Sequence, residues 1–512
     1  MRSSTASEAQ AQAQAVVIGA GPSGLFAAAE LARHGVPARV VDREPVPHRQ
    51  ARATALQPGT LEILARAELI DAVLPASVHL ECARMVDSDL RQVGELAFAG
   101  VGSPWEFQCS LPQWRTEQIL AERLVELGGV VERGVTAASL EERDDGVLVR
   151  LEQADGTAEV VEAAWVIGAG GAHSVTRASM AETLGGATYP GHALVADVRV
   201  RCDLPRDSSN LVAAPEGYVL LAPLPEQRWI TFVGDLDEGE AERVASATPH
   251  DAVAAAIDRR VAADIAVEDV RWAAPFRMHR RVVSRLAQGR RFLLGDAGHL
   301  SSPFGGEGLN SGLHDAHDLA WKLALCLRGR GRPALLESFE PERLAADHHV
   351  LEVSDRADAL VRGAVESART GVRRSPASPA QLAALARSRC MLDVSYAASP
   401  LVGEYRGPEP EPRAAPGPGD RYPDRTTLGG TTHHLLLFGA ADDAGVARLR
   451  HRWRGLVDVA RATGDPRRAG LTSSGAVLVR PDGHIGFRAV PADVAGLAVL
   501  DAHLESYLTP AG

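Results

Sequence analysis

Aromatic side chains are scarce in this chain, with 7 Trp, 6 Tyr and 10 Phe among 512 residues. A core of the size that this length permits must therefore be filled mainly by Ala, Val and Leu. No apolar run approaches the roughly 18 residues that a membrane-crossing helix needs, which excludes a helical span. Five cysteines (Cys82, Cys109, Cys202, Cys326, Cys390) lie far apart, and none forms a Cys-x-x-Cys pair. A disulfide framework and a thiolate zinc site are both disfavoured, and a reducing, cytoplasmic setting is expected. Gly-x-Ser-x-Gly is absent, so Ser/His/Asp hydrolysis has no foothold. Acid exceeds base, 66 Asp+Glu against 54 Lys+Arg for a net charge of −12, which opposes broad binding of nucleic acid. The Arg-rich stretch from Arg362 to Arg389 has no interleaved aromatics and reads as a solvated face or a domain contact. Residues 1–14 lack the apolar core of a signal peptide and read as a disordered tail.

What is present is organised. At roughly 150 residues per domain, the chain holds about three. Residues 15–44 read as strand (Val16–Ile18), glycine turn, helix (with Leu25, Ala28, Leu31 and Ala32 on one face) and strand (Ala38–Val41), a βαβ unit. The turn is Gly19-Ala20-Gly21-Pro22-Ser23-Gly24. Gly19 permits the tight turn, Gly21 lets backbone N–H groups approach a pyrophosphate, and Gly24 permits close helix–strand packing. Asp42, at the end of the second strand, can accept hydrogen bonds from an adenosine ribose. This spacing indicates a dinucleotide and does not choose between NAD and FAD. Helices are expected over Pro58–Ile70, Pro112–Leu127 and Leu309–Leu327, with helical pattern again from about 340 to 398. Residues 193–235 alternate between Pro/Gly breaks as an antiparallel sheet does. A Pro/Gly linker (407–420) precedes a last small α/β module.

A second constellation lies at Arg290–Lys322: a strand runs into Gly295-Asp296, and a Pro/Gly loop (Pro303–Gly308) enters a helix. Asp296 is placed to hold sugar-like hydroxyls, and the helix N-terminus can stabilise negative charge on a ring system. Together with RATALQPGTLEIL (52–64), LPQWRTEQIL (111–120), GAGGAHSVTR (168–177) and ESFEPER (337–343), these stretches occur in the order found in one family. The chain resembles the FAD-dependent aromatic hydroxylases of the p-hydroxybenzoate hydroxylase type, the group A flavin monooxygenases. LVRPDGHIGFR (478–488) resembles the thioredoxin-like C-terminal domain of their phenol and polyketide hydroxylase branch.

The resemblance implies an α/β fold. A Rossmann-like FAD-binding domain (15–82, 105–184 and 273–360) would interleave with an antiparallel-sheet substrate domain (83–104 and 185–272). A helical segment and linker (361–416) and a thioredoxin-like domain (417–512) would follow. The last lacks a redox cysteine pair and is expected to pack on the flavin domain or on another subunit. FAD would contact Gly19, Gly21, Pro22, Ser23, Gly24, Asp42, Arg43, Arg52, Gln113, Asp296, Pro303, Gly306, Gly308, Leu309 and Asn310, with the Leu309 and Asn310 amides at the pyrimidine end of the ring. Arg52, Pro303 and Gly308 would shape the flavin environment in catalysis rather than act as acid or base. Tyr189, Tyr218 and Pro223 are candidates for the substrate wall. Two positions depart from the family pattern: Gly170 replaces an aspartate tied to the pyrophosphate and to nicotinamide use, and Gly59 replaces an arginine.

By the same resemblance, NADPH or NADH reduces FAD, and O2 is activated as a flavin C4a-hydroperoxide that hydroxylates an aromatic or polyketide substrate. Baeyer–Villiger or epoxidising chemistry on the same fold remains open, as does a flavin-fold ligand-binding protein with little redox turnover. Self-association into a homodimer is also open. His314 and His317, three apart on a helix, lack a third ligand on their face and read as structural, so no metal is expected. His299 reads either as a charge near the flavin or as strand-end packing, and Glu117 as a complement to its helix dipole. The aromatics Trp105, Phe107, Tyr189, Trp229, Phe232, Trp272 and Phe276 read as core or as an apolar substrate wall.

Overall fold

The computed structural model describes residues 11–49, 53–189, 191–301, 306–372, 378–408 and 415–510. Its first sheet is parallel at the centre. The strand Ala11–Ile18 lies between Ala158–Gly168 and Arg39–Asp42, with Val17 opposite Ile167 on one side and Val40 on the other. Alternation along the strand sends Ala15 and Val17 to the helical side. Val16 and Ile18 go to the opposite face, against the antiparallel strands Val135–Glu142 and Val147–Gln153. The strand thus begins at Ala11, inside the expected tail. Ala11–Ala13 pair with Val161–Ala163 of the long neighbour, and the Gln/Ala alternation is itself a period-two strand signal. The helix after Pro58 ends at Arg66 instead of running to Ile70, because Glu68 takes φ 62° and breaks the spiral.

The second sheet has seven strands in the spatial order Ala266–Phe276, His192–Arg201, Arg228–Leu236, Gly217–Leu224, Ser208–Ala214, Cys82–Val86 and Gln92–Ala97. All pairs are antiparallel except Ser208–Ala214 with Cys82–Val86. One face packs against Val253, Ala256 and Ile257 of the helix Pro249–Asp258. The other meets Ala357, Val361 and Val365 of the helix Phe339–Thr370. That helix runs unbroken through 360, and the strand Ala266–Phe276 runs through 272, so neither expected boundary is a break in the chain. Gly185–Thr188 pairs with His279–Val282 in a separate small sheet.

The C-terminal sheet orders as Gly403–Arg406, Ile485–Val490, Gly475–Val479, His433–Phe438 and Val457–Arg461, flanked by the helices Asp443–Arg452 and Val494–Tyr507. Its first strand precedes the Pro/Gly stretch, so the module begins before residue 417. Trp321, Leu325 and Leu335 join its apolar core, which fuses it to the unit built on the first sheet. A buried ionic junction reinforces this seam. Arg480 Nη1 donates to Glu342 Oε1 (2.6 Å) and Nη2 to Asp318 Oδ1 (3.3 Å). Lys322 Nζ reaches Asp318 (2.8 Å) and Glu342 (2.5 Å). Arg421 and Arg425 both bond Glu62. Among the described residues, no helix is long and apolar enough to cross a membrane.

Candidate active site

The glycine turn at 19–24 is built from two kinds of constraint. Gly19 has φ 107°, and a Cβ there would lie 2.3 Å from the Ala169 oxygen; a Cβ on Gly24 would lie 1.9 Å from the Gly19 oxygen. Both are glycine because protein backbone is in the way. Gly21 is different. Its φ of −77° and ψ of −177° suit any residue, and a Cβ built on it meets nothing within 4 Å. What a side chain would obstruct at position 21 is the open cleft beside the helix Pro22–Arg33, whose first amides have no intrahelical acceptor. That geometry leaves room for a pyrophosphate. Asp42 closes the turn, its Oδ2 accepting from Ala20 N (2.5 Å) and Oδ1 from Glu44 N (2.8 Å).

The second constellation lies directly across this turn. Ser23 Oγ sits 2.5 Å and 2.3 Å from where Cβ atoms of Gly295 and Gly312 would be, so the two stretches interlock. Asp296, in the short turn Gly295–Ala297, is exposed into the cleft. The long helix spans Glu307–Leu327 with Gly306 as its left-handed N-cap (φ 65°). It starts two residues earlier than Leu309, which moves the acceptor-free amides to Glu307, Gly308 and Leu309. The Asn310 amide falls one position too late for the ring-facing role. Its buried side chain works instead as a clamp, with Oδ1 accepting from Gln57 N (2.9 Å) and Nδ2 donating to Ala55 O (2.8 Å) and Gly306 O (2.5 Å).

Both constellations open into one cavity of about 1650 Å³, well above the ~300–1,000 Å³ of a single small-ligand pocket. Gly21, Pro22, Ser23, Gln113, Asp296, Gly306, Gly308 and Leu309 line one part. Leu220, Ala222, Ile230, Phe232 and Phe276 of the seven-stranded sheet line another, facing Ala357, Val361 and Ala364 of the 339–370 helix. Gln113 Nε2 donates to Glu117 Oε1 (2.8 Å). Glu117 is buried beyond the first helical turn, where burial raises its pKa, so it orients Gln113 and does not complement the dipole.

Other sequence candidates fall elsewhere. Arg52 and Pro303 lie outside the described residues. Arg43 points to solvent and pairs with Glu44 (3.4 Å). Tyr189 bonds Asp355 (2.6 Å), and Tyr218 is buried among Leu211, Ala213 and Met278. Pro223 shares strand parity with Val219 and Leu221, which face the Pro249–Asp258 helix. None of these three lines the cavity; Leu220 and Ala222 do. Of the aromatics, Phe232 and Phe276 form wall, whereas Trp105 and Phe107 pack on the core of the first sheet and its helices. His317 Nδ1 bonds Glu30 (2.9 Å), and burial lowers the pKa of His314.

Gly59 has a spatial reason that sequence reasoning missed. A Cβ there would lie 2.5 Å from the Met391 oxygen, and its N–H donates to Cys390 O (2.8 Å). Restoring the family's arginine (Gly59→Arg) is expected to cost at least ~1–3 kcal/mol through overpacking, read as a lower denaturation midpoint.

A cleft made from the first βαβ turn and a distant strand–helix junction, continuous with an apolar wall on the seven-stranded sheet, is the architecture of a dinucleotide-binding protein with room for a second, apolar ligand. The comparisons agree. The FAD binding domain family matches residues 12–354, and the aromatic-ring hydroxylase C-terminal family matches 416–511. 6-Methylpretetramide 4-monooxygenase of Streptomyces rimosus is 34% identical over 96% of this chain and 93% of its own length. The crystal structure of aklavinone-11 hydroxylase with FAD and aklavinone gives a TM-score of 0.80 at 25% identity, covering 96% of this chain and 98% of that one. Anhydrotetracycline hydroxylase OxyS from S. rimosus gives 0.75 at 27%, covering 98% and 100%. The chain belongs to the FAD-dependent aromatic-ring hydroxylases and is a flavin-dependent monooxygenase.

Proposed function

We propose that this enzyme inserts one oxygen atom from O2 into a polycyclic aromatic polyketide, with NADPH or NADH as reductant. The observation that carries the reading is the single cavity of about 1650 Å³ joining the Gly21 cleft to the apolar sheet wall. Bound FAD supplies the redox chemistry and the activation of O2. The chain supplies placement. Gly19, Gly21 and Gly24 open the cleft for the pyrophosphate, and Asp42 stands ready for the adenosine ribose. Asp296 and Gln113 offer hydrogen bonds to the ribityl chain. The Gly308 and Leu309 amides stabilise negative charge on the ring system. Leu220, Ala222, Phe232 and Phe276 hold a flat apolar substrate and exclude water from it. Arg52 and Pro303 keep the flavin-side roles that family resemblance gives them. Hydroxylation is the reading the relatives' names favour over ring expansion or epoxidation.

The test is NADPH and NADH consumption by the purified protein with a panel of aromatic polyketides, followed by product mass and NMR. A product heavier by one oxygen is expected, and NMR fixes its site. FAD that binds yet stays oxidised with both nicotinamides and all substrates would contradict the monooxygenase reading.

Gly170 is open to restoration of the family's aspartate. A Cβ there comes no closer than 3.7 Å to Ser174 Cα, so Gly170→Asp is expected to change stability by no more than about 0.5 kcal/mol. On the family pattern it should speed flavin reduction by NADPH, measured by stopped-flow absorbance.

A further inference from the structure

Behind the cavity lies a buried cluster that the oxygenation chemistry does not use. His299, at the start of the two-residue strand His299–Leu300, is 3% exposed. Its Nε2 lies 2.7 Å from Asp315 Oδ2 and 3.6 Å from Asp347 Oδ1. Asp315 Oδ2 also accepts from Gly295 N (2.9 Å), and its Oδ1 accepts from Arg343 Nε (2.8 Å). Arg343 Nη1 donates in turn to the Tyr396 hydroxyl (2.9 Å), and Ser311 Oγ donates to Asp347 Oδ1 (2.6 Å). Three elements are thereby tied together: the turn that presents Asp296, the 307–327 helix, and the 339–370 helix.

Charge counting calls for one proton shared by His299 and Asp347. Two buried carboxylates, Asp315 and Asp347, face one permanent cation, Arg343. An imidazolium at His299 balances the cluster, and a neutral imidazole does so only with the proton on Asp347, whose pKa is raised by burial and by the Asp315 charge. Asp296 adds a further negative charge nearby. On the adjoining strand, His279–Val282, the Arg281 guanidinium is engaged with Thr188 Oγ1 (3.0 Å) and does not reach His299.

We propose that His299 is a positioning residue, held as an imidazolium between Asp315 and Asp347, and that this charge fixes the Gly295–Asp296 turn against the ribityl chain of FAD. Burial opposes the charge, but Asp347 and Asp315 outweigh it and raise the pKa to about 9. A pKa raised from 6.5 to about 9 gives stabilisation that is complete below pH 6.5, falls steadily above it and is gone once pH has climbed through about 9. Loss of the proton loosens the acceptor of the Gly295 N–H, and with it the turn.

The inference rests on the reading of the cavity as an FAD site. The experiment is titration of apo-protein with FAD, followed by flavin fluorescence, between about pH 7 and 10. The wild type is expected to bind about tenfold more weakly at the alkaline end, with a midpoint near 9. His299→Gln keeps a neutral donor to Asp315, so it should bind about tenfold more weakly at pH 7 and lose the pH dependence. Asp347→Asn leaves the His299–Asp315 bond intact and should move the midpoint down by about one unit. A wild type that binds FAD at no pH contradicts the cofactor reading. FAD binding with a flat pH profile, or an unmoved midpoint in Asp347→Asn, contradicts the positioning role alone. Should both variants fail to fold, NMR of labelled histidine in the wild-type holoenzyme decides. A neutral His299 ring at pH 7, with the proton on Asp347, overturns the proposal.

Discussion

A valine at position 21 should give a folded protein that no longer retains FAD. The backbone at Gly21 is extended and ordinary, and nothing in the protein stands within 4 Å of a Cβ there. Gly21→Val is therefore expected to cost the apo-protein only about 1 kcal/mol, the difference between glycine and an aliphatic residue at the helix N-cap. The new methyl groups would stand where the pyrophosphate must approach the helix amides. Losing that approach should weaken FAD binding by at least about a hundredfold, close to 3 kcal/mol. Gly19→Ala makes the contrast, because its Cβ would sit 2.3 Å from a backbone oxygen at a φ of 107°. That variant should lose stability whether or not FAD is present. Equilibrium dialysis with FAD, paired with thermal denaturation of the apo-proteins, separates the two effects.

The second large effect is expected at the seam with the C-terminal module. Arg480 is 0% exposed and touches Glu342, Asp318 and Asp482. The cluster holds two cations, Arg480 and Lys322, against three carboxylates. Arg480→Met leaves Lys322 alone among them. Breaking a buried ion network by removing one partner typically costs ~3–5 kcal/mol, because the charges left behind have no water to turn to. Chemical denaturation should register most of that loss. As a control, Arg467→Ala removes an exposed pair with Asp465 and should change stability by no more than about 0.5 kcal/mol. Because the helix Glu307–Leu327 carries Asp318 and Lys322 in its second half and the amides proposed to face the flavin at its N-terminus, Arg480→Met should also weaken FAD retention. An Arg480→Met protein as stable as the control would contradict this account of the junction.

The parts of the site that were legible in the sequence obey local rules. A glycine turn after a strand, an acid at the next strand end, and a Pro/Gly loop entering an amphipathic helix each announce themselves within about 30 residues. The apolar wall of the cavity does not. Gly217–Leu224 is buried on both faces, by the Pro249–Asp258 helix on one and by the cavity and the 339–370 helix on the other. Its residues therefore show no alternation by which to choose Leu220 and Ala222 over Tyr218 and Pro223. Gly59 was equally opaque, since the carbonyl that forbids a side chain comes from Met391. The ionic junction was opaque as well: Asp318 and Lys322 lie four apart on one helix, but Glu342 and Arg480, which join them, are distant in sequence, Arg480 by 158 positions from Lys322. The fused C-terminal module was visible as a fold, but the strand Gly403–Arg406 that opens it lies across a linker-like stretch and pairs with residues 485–490.

The most direct test is the FAD content of the purified, gel-filtered wild type after reconstitution, measured beside that of Gly21→Val. The wild type should hold one FAD per chain and the variant next to none, with both proteins folded. A folded wild type that leaves the column colourless, or a valine variant that retains a full complement of flavin, would contradict it.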